Sequence, residues 1–96
     1  LITSKQRAKL KGIANSIDTI LQVGKGGIEE NLVTQVSDAL KAREIIKMRV
    51  LETAPMDARE AAQTLAELTK SEVVQVIGTR FILYKRNEKK PVIELK

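Results

Sequence analysis

The residues best suited to chemistry stand four in a row, Gly24-Lys25-Gly26-Gly27. Glycine has no Cβ, so a backbone built from it approaches a ligand closely and adopts positive φ without strain. The cluster separates a short β-rich run, Thr19-Ile20-Leu21-Gln22-Val23, from a helical pattern that begins near Glu29. A helix start offers unpaired N–H groups and the positive end of its dipole. Loop amides, helix start and the Lys25 ammonium therefore converge on one kind of ligand, a phosphate. A tight turn is the simpler use of such a cluster. Glu29 and Glu30 would also repel a phosphate brought too near. A clamp here must work through loop amides and Lys25, with both carboxylates turned aside.

The spacing excludes two other phosphate loops. GxxxxGK[ST] is missing, and GxGxxG fails because position 29 is Glu29. Gly24-x-x-Gly27 instead has the spacing of the GxxG loop with which KH domains hold a nucleic-acid backbone.

Other chemistry is poorly supplied. The chain has no cysteine and no histidine, which removes disulfides, thiolate metal sites and histidine-based catalytic triads. Asp18, Glu29 and Glu30 lie near the loop in sequence, but surface carboxylates of this kind are expected to be solvated charges. No catalytic residue, cofactor, metal or small-molecule substrate is expected. The lack of cysteine fits a reducing cytosol, and a cytoplasmic location is the expectation. The first residues lack the apolar run of a secretory signal, and no apolar stretch is long enough to span a bilayer, so no membrane partner is expected.

With 43% apolar and 30% charged residues, the 96-residue chain has the composition of one globular domain. Its net charge of +5 is unevenly spread. Lys5, Arg7, Lys9 and Lys11 stand in the first twelve residues without an acid. Arg80, Lys85, Arg86, Lys89, Lys90 and Lys96 face only Glu88 and Glu94 near the end. Residues 51–72 carry Glu52, Asp57, Glu60, Glu67 and Glu72 against Arg59 and Lys70. Basic ends around an acidic segment imply a polarised surface, and such a surface attracts polyanions through its summed field.

Periodicity then supplies the elements that must position these groups. A first helix is expected from about Ser4 to Ser16, with Ile2, Leu10, Ile13, Ala14 and Ile17 on one face. Lys5 and Lys9 border that stripe on one side, Arg7 and Lys11 on the other. The strand 19–23 and the glycine loop lead into a second helix, about Glu29 to Ala42, carrying Leu32, Val36 and Leu40. Ile45 to Val50 alternates, with Ile46, Met48 and Val50 inward and Lys47 and Arg49 outward. A third helix starts near Asp57, which makes a capping-box pattern with Glu60. Two strands follow, 72–77 and 80–86, joined by Gly78-Thr79, the composition of a type II′ hairpin. The order α-β-α-β-α-β-β predicts an α/β (α+β) domain with a four-stranded mixed sheet, helices on one face, and Lys47 and Arg49 on the open face. Residues 87–96 read as a basic tail with a short extended piece over 91–95.

Only Phe81 and Tyr84 are aromatic, and they fall on opposite faces of the last strand. Phe81 reads as core; Tyr84 reads as packing, with base stacking as the alternative. Recognition of a nucleic acid would thus rest on phosphate and sugar contacts, with little base reading.

Several blocks together resemble a known family. They are Leu10-Lys11-Gly12-Ile13-Ala14, Val23-Gly24-Lys25-Gly26-Gly27-Ile28, Glu44 to Val50, Val74-Gln75-Val76-Ile77-Gly78 and Leu83-Tyr84-Lys85-Arg86. In this order they are similar to CRM domains, the chloroplast RNA-splicing and ribosome-maturation domains, whose stand-alone bacterial form is the YhbY type. The resemblance runs from about Thr3 to Arg86. It implies a fold similar to the C-terminal domain of bacterial translation initiation factor three, with a KH-like GxxG loop. It implies RNA as partner, namely rRNA in precursors of the large ribosomal subunit. Glu29 and the pair Arg80-Phe81 depart from the usual pattern.

The expectation is one RNA-binding domain over 1–96, core about 3–86, acting as a monomer without enzymatic activity. Its RNA-binding residues would be Lys5, Arg7, Lys9, Lys11, Gly24, Lys25, Gly26, Gly27, Lys47, Arg49, Arg80 and Arg86. The competing reading is a ribosome-associated protein adaptor without a specific RNA target.

Overall fold

The computed structural model describes residues 2–89 and 91–93. Seven elements follow one another: α1 (Ser4–Ala14), β1 (Thr19–Val23), α2 (Glu30–Arg43), β2 (Ile45–Val50), α3 (Ala58–Thr69), β3 (Glu72–Ile77) and β4 (Arg80–Tyr84). The strands form one mixed sheet in the order β1-β2-β4-β3, with β1 parallel to β2 and β4 antiparallel to both its neighbours. The expected fold class and element order hold.

Local chemistry sets the boundaries. Thr3 caps α1 reciprocally: its hydroxyl accepts from the Gln6 amide at 3.1 Å, while the Gln6 side chain accepts from the Thr3 amide at 3.0 Å. Asp57 caps α3 by accepting from the Glu60 amide at 2.9 Å. In the β3–β4 turn Gly78 has φ of 58° and Thr79 does not share the positive value, as a type II′ turn requires.

The sheet is covered on both faces. Val36 and Leu40 of α2, with Ala58, Ala61, Ala62 and Leu65 of α3, pack on Ile46, Met48, Phe81 and Leu83. Leu10 and Ala14 of α1 pack on the opposite face, against Ile45, Val74, Ile82 and Tyr84, with Ile2, Ile13 and Ile17 around them. The expectation of helices on one face therefore holds for α2 and α3 and is corrected for α1. The reason lies in β4. Phe81-Ile82-Leu83-Tyr84 is apolar at every position, so both faces of that strand must be kept from water.

The chain beyond β4 folds back instead of trailing. Glu44, the residue after α2, is completely buried at φ of 65°. Its carboxylate accepts from the amides of Asn87 (2.6 Å), Val92 (2.6 Å) and Ile93 (2.5 Å), and Ile93 packs on the α1 core. A buried carboxylate is costly unless its lone pairs are used, and here the returning backbone uses them. Pro91-Val92-Ile93 is bent rather than extended. Lys90, Glu94, Leu95 and Lys96, also part of the expected tail, lie outside the described residues.

Candidate nucleic-acid interface

The glycine loop is a tight turn at one end of the sheet. The Gly27 amide donates to the Gly24 carbonyl at 2.9 Å, which leaves Lys25 and Gly26 at an exposed tip. The three glycines have different duties. Gly27 is buried at φ of 70°, and a Cβ on it would meet Pro55 Cγ at 3.1 Å. Gly24 has room, since its Cβ would sit at ordinary contact, 3.6 Å from Leu51 Cδ1. Gly26 lies under the Glu29 side chain, whose carboxylate occupies the space a Cβ would need.

That last contact corrects the expectation that Glu29 turns aside. Glu29 is the N-cap residue of α2, in extended backbone with φ −96° and ψ 162°, and its side chain makes no cap hydrogen bond. The side chain reaches back over the turn, and the first amides of α2 are left without a side-chain cap. Lys25 is thus exposed on a turn that leads into the helix start, with a carboxylate resting on the loop tip.

Register decides which other basic residues join this loop. The Leu51 amide donates to the Val23 carbonyl at 2.9 Å and the Val50 amide to the Thr79 carbonyl at 2.8 Å. The glycine loop, the segment after β2 and the β3–β4 turn therefore share one end of the sheet. There the register aligns Gln22 with Arg49, Arg49 with Arg80, and Arg80 with Ile77. This row crosses all four strands and is exposed at every position. One level in, Lys47 is half-buried between Thr19 and Ile82. At the level of Ile45 and Tyr84 the same face is closed by α1.

The remaining basic candidates sit elsewhere. Lys5 and Lys9 are exposed on α1 and Lys11 is half-buried. Arg86 lies two residues beyond Tyr84, the end of β4 remote from Arg80, and that strand end is itself roughly 13 Å from Arg80 at ordinary strand rise. Arg7 is engaged internally: its Nη1 donates to the Val73 carbonyl at 2.6 Å and the Val74 carbonyl at 2.8 Å. Those carbonyls belong to an irregularity in the β3–β4 pairing, which Arg7 ties to α1. The twelve candidates are thus split between the two ends of the sheet.

Both aromatic rings are in the core, Phe81 at 0% and Tyr84 at 4% exposure. Burial, then the nearby Glu44 carboxylate, raise the Tyr84 hydroxyl above its ordinary pKa, against a smaller opposing effect of Arg86. Stacking bases on Tyr84 is ruled out by its burial. Among the described residues no group of three carboxylates is placed to hold a metal ion, and no helix is long and apolar enough to cross a membrane.

Residues 2–85 match the CRS1 / YhbY (CRM) domain. The chain belongs to this family. The CRM chain is 39% identical over 95 residues to Bacillus subtilis YqeI, named a probable RNA-binding protein, with 99% of each chain covered. It is 28% identical over 87 residues to an RNA-binding protein of Haemophilus influenzae, covering 91% of this chain and 88% of that one. Its fold superposes on the solution structure of a hypothetical Staphylococcus aureus protein, a candidate RNA-binding protein, with a TM-score of 0.82 and 45% identity over the whole of both chains. The CRM match spans every element that positions the loop and the exposed row.

One residue important to this arrangement was not foreseen from sequence. Glu44 breaks two local rules, an acid at a helix C-terminus and a non-glycine at positive φ. Only the acid at the helix end is visible in the sequence, and its partners are 43 to 49 residues away.

Proposed function

We propose that this CRM domain binds RNA through its phosphate backbone, gripped at Gly24-Lys25-Gly26-Gly27 and steadied by flanking cations. The observation that carries this reading is Lys25, exposed at the tip of a GxxG turn that leads into a helix start without a side-chain cap. Relatives named as RNA-binding proteins support the ligand class. Lys47, Arg49 and Arg80 extend the cationic surface from the loop end, while Lys5, Lys9, Lys11 and Arg86 supply charge at the other end. Arg7 contributes chiefly by holding α1 in place. Base identity plays little part, because both rings are buried.

The RNA is rRNA of a precursor large subunit, and the domain assists ribosome assembly as a cytoplasmic monomer without cofactor or catalysis. Residues 1–96 act as one domain, with the described part of 87–93 fastened to it by Glu44.

The test is fluorescence anisotropy with a labelled RNA across a salt series, using wild type and Lys25→Glu. Affinity should fall with salt, and the variant should bind more weakly, with a log–log slope smaller by about 0.7 to 0.9 for each phosphate released. Unchanged affinity in a folded variant removes the loop from the site. Crosslinking in cells, followed by sequencing of bound RNA, addresses the target. Enrichment of large-subunit rRNA supports it, whereas diffuse recovery equal in both proteins favours the protein-adaptor reading.

A further inference from the structure

The row that crosses the loop end of the sheet contains an electrostatic conflict. Arg49 on β2 and Arg80 on β4 are directly opposed in the antiparallel register, so their side chains leave the same face. Opposed residues hold their Cβ atoms about 5 Å apart, and like charges so placed are destabilising. Both arginines are exposed, and among the described residues no carboxylate forms an ion pair with either. α1 closes the same face only at the level of Ile45, Ile82 and Tyr84, so this end stays open. Water screens most of this repulsion, and an anion placed between the two cations would remove the rest.

The surroundings are shaped for one. A groove of about 430 Å³ is lined by both arginines together with Leu51, Glu52, Thr53 and Thr79. The two threonine hydroxyls can donate to an oxyanion, and Glu52 is the one acid in the wall. Leu51 joins this groove to the glycine loop, because it is the residue that Gly24 faces. The groove and the loop thus stand on either side of one side chain.

Resting on the RNA-binding reading above, we propose that Arg49 and Arg80 form a second phosphate seat, on the sheet itself. The RNA strand held at Lys25 continues past Leu51 and across the open row, placing backbone phosphate between the two guanidinium groups. Guanidinium forks suit this task, since each presents paired donors to phosphate oxygens. Ile77, 55% exposed at the edge of the same row, gives the strand an apolar border.

The experiment pairs stability with binding in the double variant Arg49→Gln/Arg80→Gln, with Arg49→Lys/Arg80→Lys beside it. The probe is a fluorescein-labelled single-stranded RNA of mixed sequence, titrated across a salt series. The glutamine variant should melt at the same temperature as wild type or higher, because the opposed charges are gone. Its affinity should nevertheless fall about tenfold, with the salt slope reduced by roughly 0.7 to 1.4, for one or two phosphates released. The lysine variant should keep most of the slope and lose part of the affinity, having charge without the fork. Unchanged affinity and slope in the glutamine variant, while Lys25→Glu still weakens binding, would overturn the sheet seat and leave the loop reading standing. Wild-type protein that shows no salt-dependent RNA binding overturns both. Loss of binding to an acidic protein in the glutamine variant, with RNA affinity intact, assigns the pair to a protein partner and rejects the proposal.

Discussion

A Cβ built on Gly27 would lie 3.1 Å from Pro55 Cγ, so the loop that offers Lys25 to solvent is wedged against the segment preceding α3. Gly27 also has positive φ, whereas Gly24 faces Leu51 at ordinary van der Waals distance. Gly27→Ala should therefore cost about 1–3 kcal/mol in urea denaturation, from left-handed backbone plus a crowded neighbour. Gly24→Ala should stay within about 0.5 kcal/mol of wild type. Equal costs at the two positions would contradict this division of labour.

The Glu29 carboxylate on Gly26 stands where an incoming phosphate would approach. Glu29→Gln should strengthen RNA binding about threefold at low salt, on the order of 0.5–1 kcal/mol for removing one exposed like charge. The gain should shrink as salt screens it. Anisotropy titrations at two salt concentrations measure this, and affinity that stays the same or falls argues against phosphate at the loop tip.

Arg7 holds two carbonyls of the irregular β3 strand. Arg7→Ala should destabilise the fold by about 1–2 kcal/mol, leaving half-buried acceptors without their charged donor. Its effect on RNA affinity, measured where the variant is folded, should be smaller than that of Lys25→Glu. The reverse ranking would make Arg7 a binding residue.

Glu44 fastens the chain after β4 by accepting from three backbone amides. Glu44→Ala should lower stability by about 2–4 kcal/mol, since it strips three part-buried donors of their acceptor and opens a hole where the buried side chain stood. Hydrogen exchange locates the effect: the Val92 and Ile93 amides should lose protection, well before the amides of β2 and β4.

Tyr84 is the only tyrosine, so tyrosinate absorbance near 295 nm reports it alone. Burial and the Glu44 carboxylate raise its pKa in the folded protein. The folded state then holds the proton more tightly than the unfolded chain, whose tyrosine ionises near pH 10. This group's contribution to stability is complete below that pH and is lost as pH climbs from there through the raised folded value. The native midpoint should exceed the midpoint in denaturant, and Tyr84→Phe should lose less stability on going above about pH 10 than wild type. Coincident midpoints would mean that the hydroxyl is solvated.

What the sequence determined by itself was local in origin. Apolar spacing set the three helices and four strands, Asp57 marked the start of the third helix, and Gly78-Thr79 specified the hairpin turn. The GxxG spacing placed an exposed lysine on a tight turn before a helix. Each of these depends on residues a few positions apart, whose steric and hydrogen-bonding preferences act before any long-range contact forms. The both-sided burial of β4 was also legible in Phe81-Ile82-Leu83-Tyr84, although alternation in β2 pointed to a single covered face. Tertiary structure alone decided that Arg49 opposes Arg80, that Arg7 serves the β3 edge 66 residues away, and that Glu44 receives amides from beyond β4. A one-residue change of strand register would send each side chain of a strand to the other face. Which cations share a surface is thus a property of the assembled sheet, and spacing along the chain does not carry it.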